Sequence, residues 1–264
     1  IQASLDIAHS GFEVYLVEKS PTLGGHLTQL DRTFPNLEET STILAPRLEE
    51  VQKHPLIHPL TQSEVGGVEG FVGNFKVNVK HDPRYVDPEK CTCCKKCEEV
   101  CPVKVSSEFN MGLSDRTAIY LPSPHAVPHS YLIDSNHCLY LQKGECGKCR
   151  EVCPEGAVQF EEVGMEFKVE VGTIVVATGY DPFDPKLKPE FGYGRYPNVM
   201  TALEFERLLS SSGPTEGRVE VNGKEPKRIV FIQCVGSRDK TVGNEYCSRV
   251  CCMFTAKQAS LVRD

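Results

Sequence analysis

The sequence predicts an α/β chain that carries an inserted α+β unit, and three observations predict it. Helix-like and strand-like runs alternate around glycine turns towards both ends of the chain. Between them, from about Tyr85 to Glu162, the density of proline and cysteine rises. Inside that stretch Cys91-x2-Cys94-x2-Cys97-x3-Cys101-Pro102 is answered by Cys138-x7-Cys146-x2-Cys149-x3-Cys153-Pro154, two halves of one metal-binding pattern.

Ile1 to Ser10 has apolar residues at positions 1, 5 and 8 with small Ala3 and Ser4 between them, which is helical spacing, and Gly11 ends it. FEVYLVEK then reads as a strand finishing on Glu18. Helix, glycine turn and strand ending in an acid make the second half of a dinucleotide-binding βαβ unit, where the acid hydrogen-bonds a ribose hydroxyl. The glycine fingerprint of such a unit belongs before residue 1. The opening in mid-helix and the ending SLVRD, inside another amphipathic run, read as a piece of a longer polypeptide. From His54 to Lys80 short strands are separated by Gly66, Gly67 and Gly70, and FKVNVK alternates as a half-buried strand.

RTAIYLPSPHAVPHSYLID joins the two cysteine half-motifs, and its three prolines argue for extended structure. Thr173 to Ala177 reads as a strand placed directly before Thr178-Gly179-Tyr180. After a linker, TALEFERLLSSSG is a helix stopped by Gly213-Pro214. RIVFIQCVGSR reads as a buried strand running into a glycine turn, and NEYCSRVCCMFTAKQASLVRD as the helix after it. This strand-loop-helix has the form of a second nucleotide-binding unit, with cysteines in place of a GxGxxG. The expected division is 1–84, 85–162 and 163–264, the middle segment being the insert.

Thirteen cysteines, an odd and clustered set, suit metal thiolate sites in a reducing compartment, the cytoplasm, better than disulfides. In the x2-x2-x3-Cys-Pro pattern the first three thiolates cap one [4Fe-4S] cubane and the fourth ligates the other cluster. Cys101 is accordingly expected to start a helical turn and point away. One cluster would take Cys91, Cys94, Cys97 and Cys153, the other Cys101, Cys138, Cys146 and Cys149. Cys93 is read as a spare thiol. Two zinc sites are the alternative, and the proline-terminated spacing counts against them. Cys234-x12-Cys247-x3-Cys251-Cys252 is a third set, with Cys247 and Cys251 expected four apart on one helical face. Adjacent ligands suit tetrahedral zinc poorly, which favours a third [4Fe-4S] cluster.

A net charge of −7 without a basic run argues against nucleic acid as a partner. No run approaches the roughly 18 to 20 apolar residues of a membrane span, and no signal-peptide pattern stands at the start. Eight histidines are scattered without ligand spacing and no Ser-His-Asp or paired-carboxylate set stands out, so cofactors would carry the chemistry and no side chain is assigned as catalytic.

SPTLGGHLTQL resembles the loop after the ribose-binding acid in flavoproteins of the glutathione and thioredoxin reductase type, and the ATG segment after a hydrophobic strand resembles their second flavin-contacting signature. The resemblance implies FAD, with Glu18 on the ribose, Lys19, Gly24 and Gly25 along the adenosine side, and Thr178 and Gly179 nearby. More specifically, IQCVGSRD, YCSRVCCM, LVEKSPTLGGHLTQLDRTFPN, ILAP, YVDPEKCTCC and NVMTALEFERLL are similar to the heterodisulfide reductase A-subunit family over essentially the whole chain. That family implies an FAD-binding, thioredoxin-reductase-like (Rossmann-type) core, an inserted two-cluster ferredoxin and the unusual third cluster.

It also implies an oxidoreductase component in which FAD passes electrons to [4Fe-4S] clusters by flavin-based bifurcation. In methanogenesis, and in relatives from other anaerobes, such a component works with other heterodisulfide-reductase-type subunits, a hydrogenase or dehydrogenase electron donor and ferredoxin. The CoB-CoM heterodisulfide is reduced elsewhere in that complex, and the component forms a homodimer. Glu39 and Thr42 stand where many members carry a cysteine pair, and Cys93 replaces a small residue. Competing readings are a flavin-free polyferredoxin carrier and a nicotinamide-dependent flavoprotein reductase with a fused ferredoxin. The absence of a GxGxxG after residue 231 counts against the second.

Overall fold

A computed structural model describes residues 1–263, and it is a mixed α/β structure whose contacts divide into two compact units. The first comprises 1–25, 44–109 and 115–177, and the second 26–43, 110–114 and 178–264.

In the first unit, α1 (Gln2–His9) buries Ser4, Leu5 and Ala8 and stops at Gly11, whose φ of 89° a side chain would resist. β1 (Val14–Val17) pairs in parallel with β2 (Ile57–Leu60), Val14 opposite Ile57 and Val17 opposite Leu60. A parallel pair needs a crossover, and α2 (Thr40–Lys53) provides it, burying Leu44, Leu48 and Val51. β3 (Ser63–Phe71) and β4 (Asn74–His81) form a hairpin, and Gly66, Gly67 and Gly70, expected to separate short strands, lie instead within β3, which accommodates them with a bulge between Val65 and Gly67. The alternation of FKVNVK is realised in β4, where Val77 and Val79 are buried and their neighbours are not.

The chain then leaves the sheet for α3 (Lys96–Glu99), the antiparallel pair β5 (Lys104–Ser106) and β6 (Asp115–Thr117), and the pair β7 (Ile119–Tyr120) and β8 (Leu132–Ile133). α4 (Leu139–Lys143) and α5 (Lys148–Glu151) follow. β9 (Met165–Val171) finally returns alongside β4, Met165 opposite His81 and Val171 opposite Phe75. Residues 82–164 thus depart from and rejoin one three-stranded sheet of order β3-β4-β9.

In the second unit, α6 (Ala202–Leu209) begins in a capping box. The Thr201 hydroxyl accepts from the Glu204 N–H at 3.2 Å, and the Glu204 carboxylate accepts from the Thr201 N–H. The helix ends at Leu209, ahead of Gly213-Pro214, and α7 (Cys251–Arg263) packs on it. Gln258 reaches α6 by donating to the Ala202 carbonyl at 2.8 Å and the Glu206 carboxylate at 2.9 Å.

Four expectations are overturned. Residues 173–177 and 228–234 lie in no strand, and they expose Val176 (80%) and Val230 (83%). A strand exists only when a neighbour takes its N–H and C=O groups, and β1–β2 is the whole of the parallel sheet among the described residues. Apolar β-branched composition cannot supply that neighbour. Cys247 lies before α7, since the helix begins only at Cys251, so it shares no helical face with Cys251. Cys101 follows a helical turn instead of starting one: α3 ends at Glu99, and the Cys101 N–H donates to the Glu98 carbonyl at 3.2 Å.

No described helix is long and apolar enough to cross a membrane. Arg207, fully buried on α6, donates to the Asn110 side chain (3.1 Å), the Gln29 carbonyl (2.8 Å) and the Ser212 carbonyl (2.9 Å), knitting the three segments of the second unit together. Arg207→Ala is therefore expected to destabilise the chain by about 3 kcal/mol, since it leaves buried acceptors unpaired. A fall in the midpoint of chemical denaturation would register it; an unchanged midpoint would count against this role.

Candidate metal centres

The first cysteine set is shaped by its own backbone. Asp87 accepts from the Glu89 N–H at 3.0 Å while its carbonyl receives the Cys91 N–H at 3.1 Å, which fixes the turn into CTCC. Cys93 (φ 53°) and Lys95 (φ 66°) then take left-handed conformations, curling the loop before α3 carries Cys97. The second set repeats the device: Cys146 (φ 80°) and Gly147 (φ 103°) are left-handed just before α5, which carries Cys149. KCEE of α3 and KCRE of α5 are thus equivalent turns after equivalent kinks, and the two helices pack together. Cys138 stands at the N-cap of α4, so a helical turn, closed by left-handed Gly144, fills the long gap to Cys146.

Two hollows result. One, of about 360 Å³ of empty space open to solvent, is lined by Cys91, Cys93, Cys94, Cys97 and Cys153 together with Val86, Tyr131 and Pro154. The other, also open to solvent, is lined by Cys101, Cys138, Cys146 and Cys149 with Pro102, Val103, Tyr140 and Phe160. Ile119 lines both and stands in the wall between them. Each hollow therefore gathers the four thiols that spacing alone grouped, Cys138 across its irregular gap included. Cys93 adds a fifth to the first and donates its S–H to the His129 carbonyl at 3.4 Å.

Among the described residues no three Cys, His, Asp or Glu side chains stand close enough to share one ion. A lone zinc with bonds of ~2.3 Å would draw its four sulfurs nearly into contact. Thiols ringed about a hollow suit a larger polynuclear group.

The third set lies in the second unit. Cys234 (φ 58°) opens a turn, Cys251 and Cys252 are the first residues of α7, and Cys247 sits in the preceding loop, where its sulfur accepts from the Arg249 N–H at 3.4 Å. Burial works against ionisation of the Cys251 thiol, but the Cys234 N–H, the Ser248 hydroxyl and Cys252 stabilise the thiolate, and the net effect lowers its pKa. Cys252 is pushed up, chiefly by the charge of Cys251 and also by Cys234 and Cys247, so the four thiols share one neighbourhood. Between Cys234 and Cys247 the loop is braced by Asp239, which accepts from the Thr241 N–H at 2.9 Å and pairs with Lys188 at 2.8 Å. Gly236 closes the loop against Phe183: a Cβ there would stand 2.3 Å from the ring.

The flavin candidates fall in both units. Glu18 follows β1, and its Oε1 accepts from the Ser20 N–H and the Ser20 hydroxyl, both at 2.8 Å. Lys19 is exposed and pairs with Glu64 at 2.9 Å. Gly24 (φ 113°) and Gly25 (φ 52°) make a left-handed turn after buried Leu23. Thr178 and Gly179 are exposed in the second unit.

No family model matches the chain. Among curated proteins it is 49% identical over 266 residues to the A component of the H2:CoB-CoM heterodisulfide,ferredoxin reductase of Methanothermobacter marburgensis, with all of this chain and 40% of that protein covered. It is 50% identical, with the same coverage, to the iron-sulfur A component of the CoB–CoM heterodisulfide reductase of Methanocaldococcus jannaschii. A third relative, the A component of the H2/formate:CoB-CoM heterodisulfide,ferredoxin reductase of Methanococcus maripaludis, is 48% identical, again over all of this chain and 40% of the relative. Over its whole length the chain is thus similar to part of the A subunit of heterodisulfide reductases. It spans about 40% of the length of these relatives.

The ring thiols resist ionisation. Burial, and then the charge of Cys91, push the Cys97 thiol up to about 12. Burial and the charge of Cys138 push Cys149 up to about 12 as well, and burial with Cys91 takes Cys93 to about 11. Several thiolates in one apolar hollow repel one another, and a bound cationic centre offsets that repulsion. Two groups beside the first ring escape sequence reading. Tyr131, 1% exposed, donates to the Glu98 carboxylate at 2.6 Å, and Arg84 lies buried under the Pro21 turn. Neither belongs to a spacing motif.

In the metal-free, reduced chain iodoacetamide is expected to label exposed Cys94, Cys146 and Cys247 first and Cys97 and Cys149 last. Because the thiolate is the reactive form, labelling of the last two should accelerate only as pH rises towards their raised pKa values. Site-resolved mass spectrometry would read the order, and early labelling of Cys97 or Cys149 at neutral pH would contradict the burial described.

Proposed function

We propose that this chain is the flavin- and cluster-bearing part of an electron-transfer subunit in a heterodisulfide-reductase-type oxidoreductase complex. The carrying observation is the pair of hollows, each lined by four cysteines of the two-cluster ferredoxin pattern. Cys91, Cys94, Cys97 and Cys153 would hold one [4Fe-4S] cluster, Cys101, Cys138, Cys146 and Cys149 a second, and Cys234, Cys247, Cys251 and Cys252 a third. On this reading the segment 85–162 is an inserted two-cluster ferredoxin, and the residues around it belong to an FAD-binding, thioredoxin-reductase-like core. Bound FAD supplies the conversion between an electron pair and the single electrons that clusters accept, the basis of bifurcation.

The protein groups bind and orient. Ser20 occupies Oε1 of Glu18 and leaves Oε2 to accept from a ribose hydroxyl. Lys19, Gly24 and Gly25 would line the adenosine side, and Thr178 and Gly179 belong to the second flavin signature. Pro102 and Pro154, lining the two hollows, turn the chain off each cluster. The apolar walls of Val86, Ile119, Tyr131 and Phe160 lower the polarity beside the more buried sulfurs and so bear on the potentials. Partners are the other components of the complex, a hydrogenase or dehydrogenase electron donor, ferredoxin and a second copy of the same polypeptide, all in the cytoplasm of an anaerobe.

Anaerobic purification with metal and flavin analysis tests the reading. Three cubanes predict about twelve irons bound by this chain, four for each cluster. Cys247→Ala and Cys251→Ala should each remove about four irons and leave the spectra of the other two clusters unchanged. Unchanged iron in both variants would remove the third cluster from the assignment. Protein without FAD would reduce the reading to a polyferredoxin carrier.

A further inference from the structure

Arg84 is 4% exposed, and no carboxylate receives its hydrogen bonds. One terminal nitrogen donates to the Pro21 carbonyl at 2.8 Å and to the Thr61 hydroxyl at 3.4 Å, the other donates to the Ser130 hydroxyl at 3.4 Å, and the buried Nε has no partner. A guanidinium so placed is costly unless a negative charge balances it. Burial draws its pKa down to about 10, which leaves it protonated at neutral pH.

Its surroundings indicate where the balance lies. The groups that reach it electrostatically are the Tyr120 hydroxyl, Glu162 and the ring cysteine Cys91. Burial raises the Tyr120 hydroxyl above its usual range, so it is neutral at pH 7. Glu162 spends one carboxylate oxygen on the Tyr85 N–H at 2.5 Å and makes no hydrogen bond to Arg84. Ser130, which Arg84 grips, precedes Tyr131 in the wall of the first hollow, and Val86 in the same wall is two residues from Arg84.

A cubane held by four thiolates is an anion, and one-electron reduction adds a further negative charge to it. The electron comes from the external reductant, and no bond to the protein forms or breaks. A buried cation stabilises the reduced state more than the oxidised one, because screening is weak in the interior. We infer that Arg84 is a positioning residue that serves as the buried counter-charge of the first cysteine ring and raises the reduction potential of the cluster held there. The inference rests on the proposed cluster at Cys91, Cys94, Cys97 and Cys153.

The test is a redox titration of the full polypeptide, followed by electron paramagnetic resonance, in which the first-ring signal is identified as the one altered by Cys97→Ala. Arg84→Gln keeps hydrogen-bond donors and removes the charge. It is expected to make reduction of that cluster at least tenfold less favourable, about 59 mV for a one-electron couple. The second-ring cluster should keep its potential, and Arg84→Lys should stay nearer the wild-type value. Should Arg84→Gln fail to fold, Arg84→Met, which leaves no unpaired buried donor, decides: it also removes the charge and should lower the first-ring potential likewise. A first-ring cluster with wild-type iron and unchanged potential in the folded Arg84→Gln variant, or in Arg84→Met where that variant decides, overturns the inference. So does an equal shift at both rings. Failure to assemble any first-ring cluster in the wild-type protein overturns the underlying reading instead.

Discussion

The cost of ionising thiols in an apolar interior governs the cysteine-rich segment. Cys91, Cys97, Cys101, Cys138, Cys149 and Cys153 belong to or pack on the same core as Val86, Ile119, Tyr131, Val158 and Phe160. Cores of this size ordinarily fill with close-packed side chains. Here two hollows persist, and burial, followed by the charge of neighbouring sulfurs, holds Cys97 and Cys149 far from ionisation. On the proposed reading, binding a metal centre and completing the core are one event, which links the segment's stability to its cofactor content.

The same constraint explains the repetition of backbone form. A sulfur at the rim of a hollow needs a chain that curves sharply before a short helical turn. Lys95 and Gly147 meet that need alike with positive φ, although only one of them is glycine. Lysine in a left-handed conformation is strained locally, and the strain is tolerated because Cys94 and Cys97 on either side of it face the same hollow. At the third set the bracing differs in kind: a loop between Cys234 and Cys247 is held by the Asp239–Lys188 pair and by the close approach of Gly236 to Phe183.

How much is legible in the sequence follows from how local each determinant is. Cysteine spacing acts over a few residues, so the membership of each hollow can be read directly, including Cys138, whose irregular gap is a helical turn. The alternation of FKVNVK specifies β4 because its neighbours β3 and β9 lie on either side of it. TIVVA and RIVFIQC have equal β character, but composition carries no information about whether a neighbour exists, and neither forms a strand. Cys247 falls off the expected helical face because helix spacing, continued backwards from α7, runs past the true start at Cys251. Arg84 cannot be foreseen, since its burial is made by Pro21, Thr61 and Ser130, which only tertiary folding brings together.

The return of β9 beside β4 has a consequence for how such a molecule could arise. With Met165 opposite His81, the sheet sees everything between them as the loop of a long hairpin, and Val86 bridges Val158 just beyond to close the neck. Closure entropy grows only slowly with loop length, so the sheet gives up little by hosting so large a loop. A segment with its two ends side by side can be acquired, exchanged or lost as a cassette, and the strands that receive it need only a turn in its place.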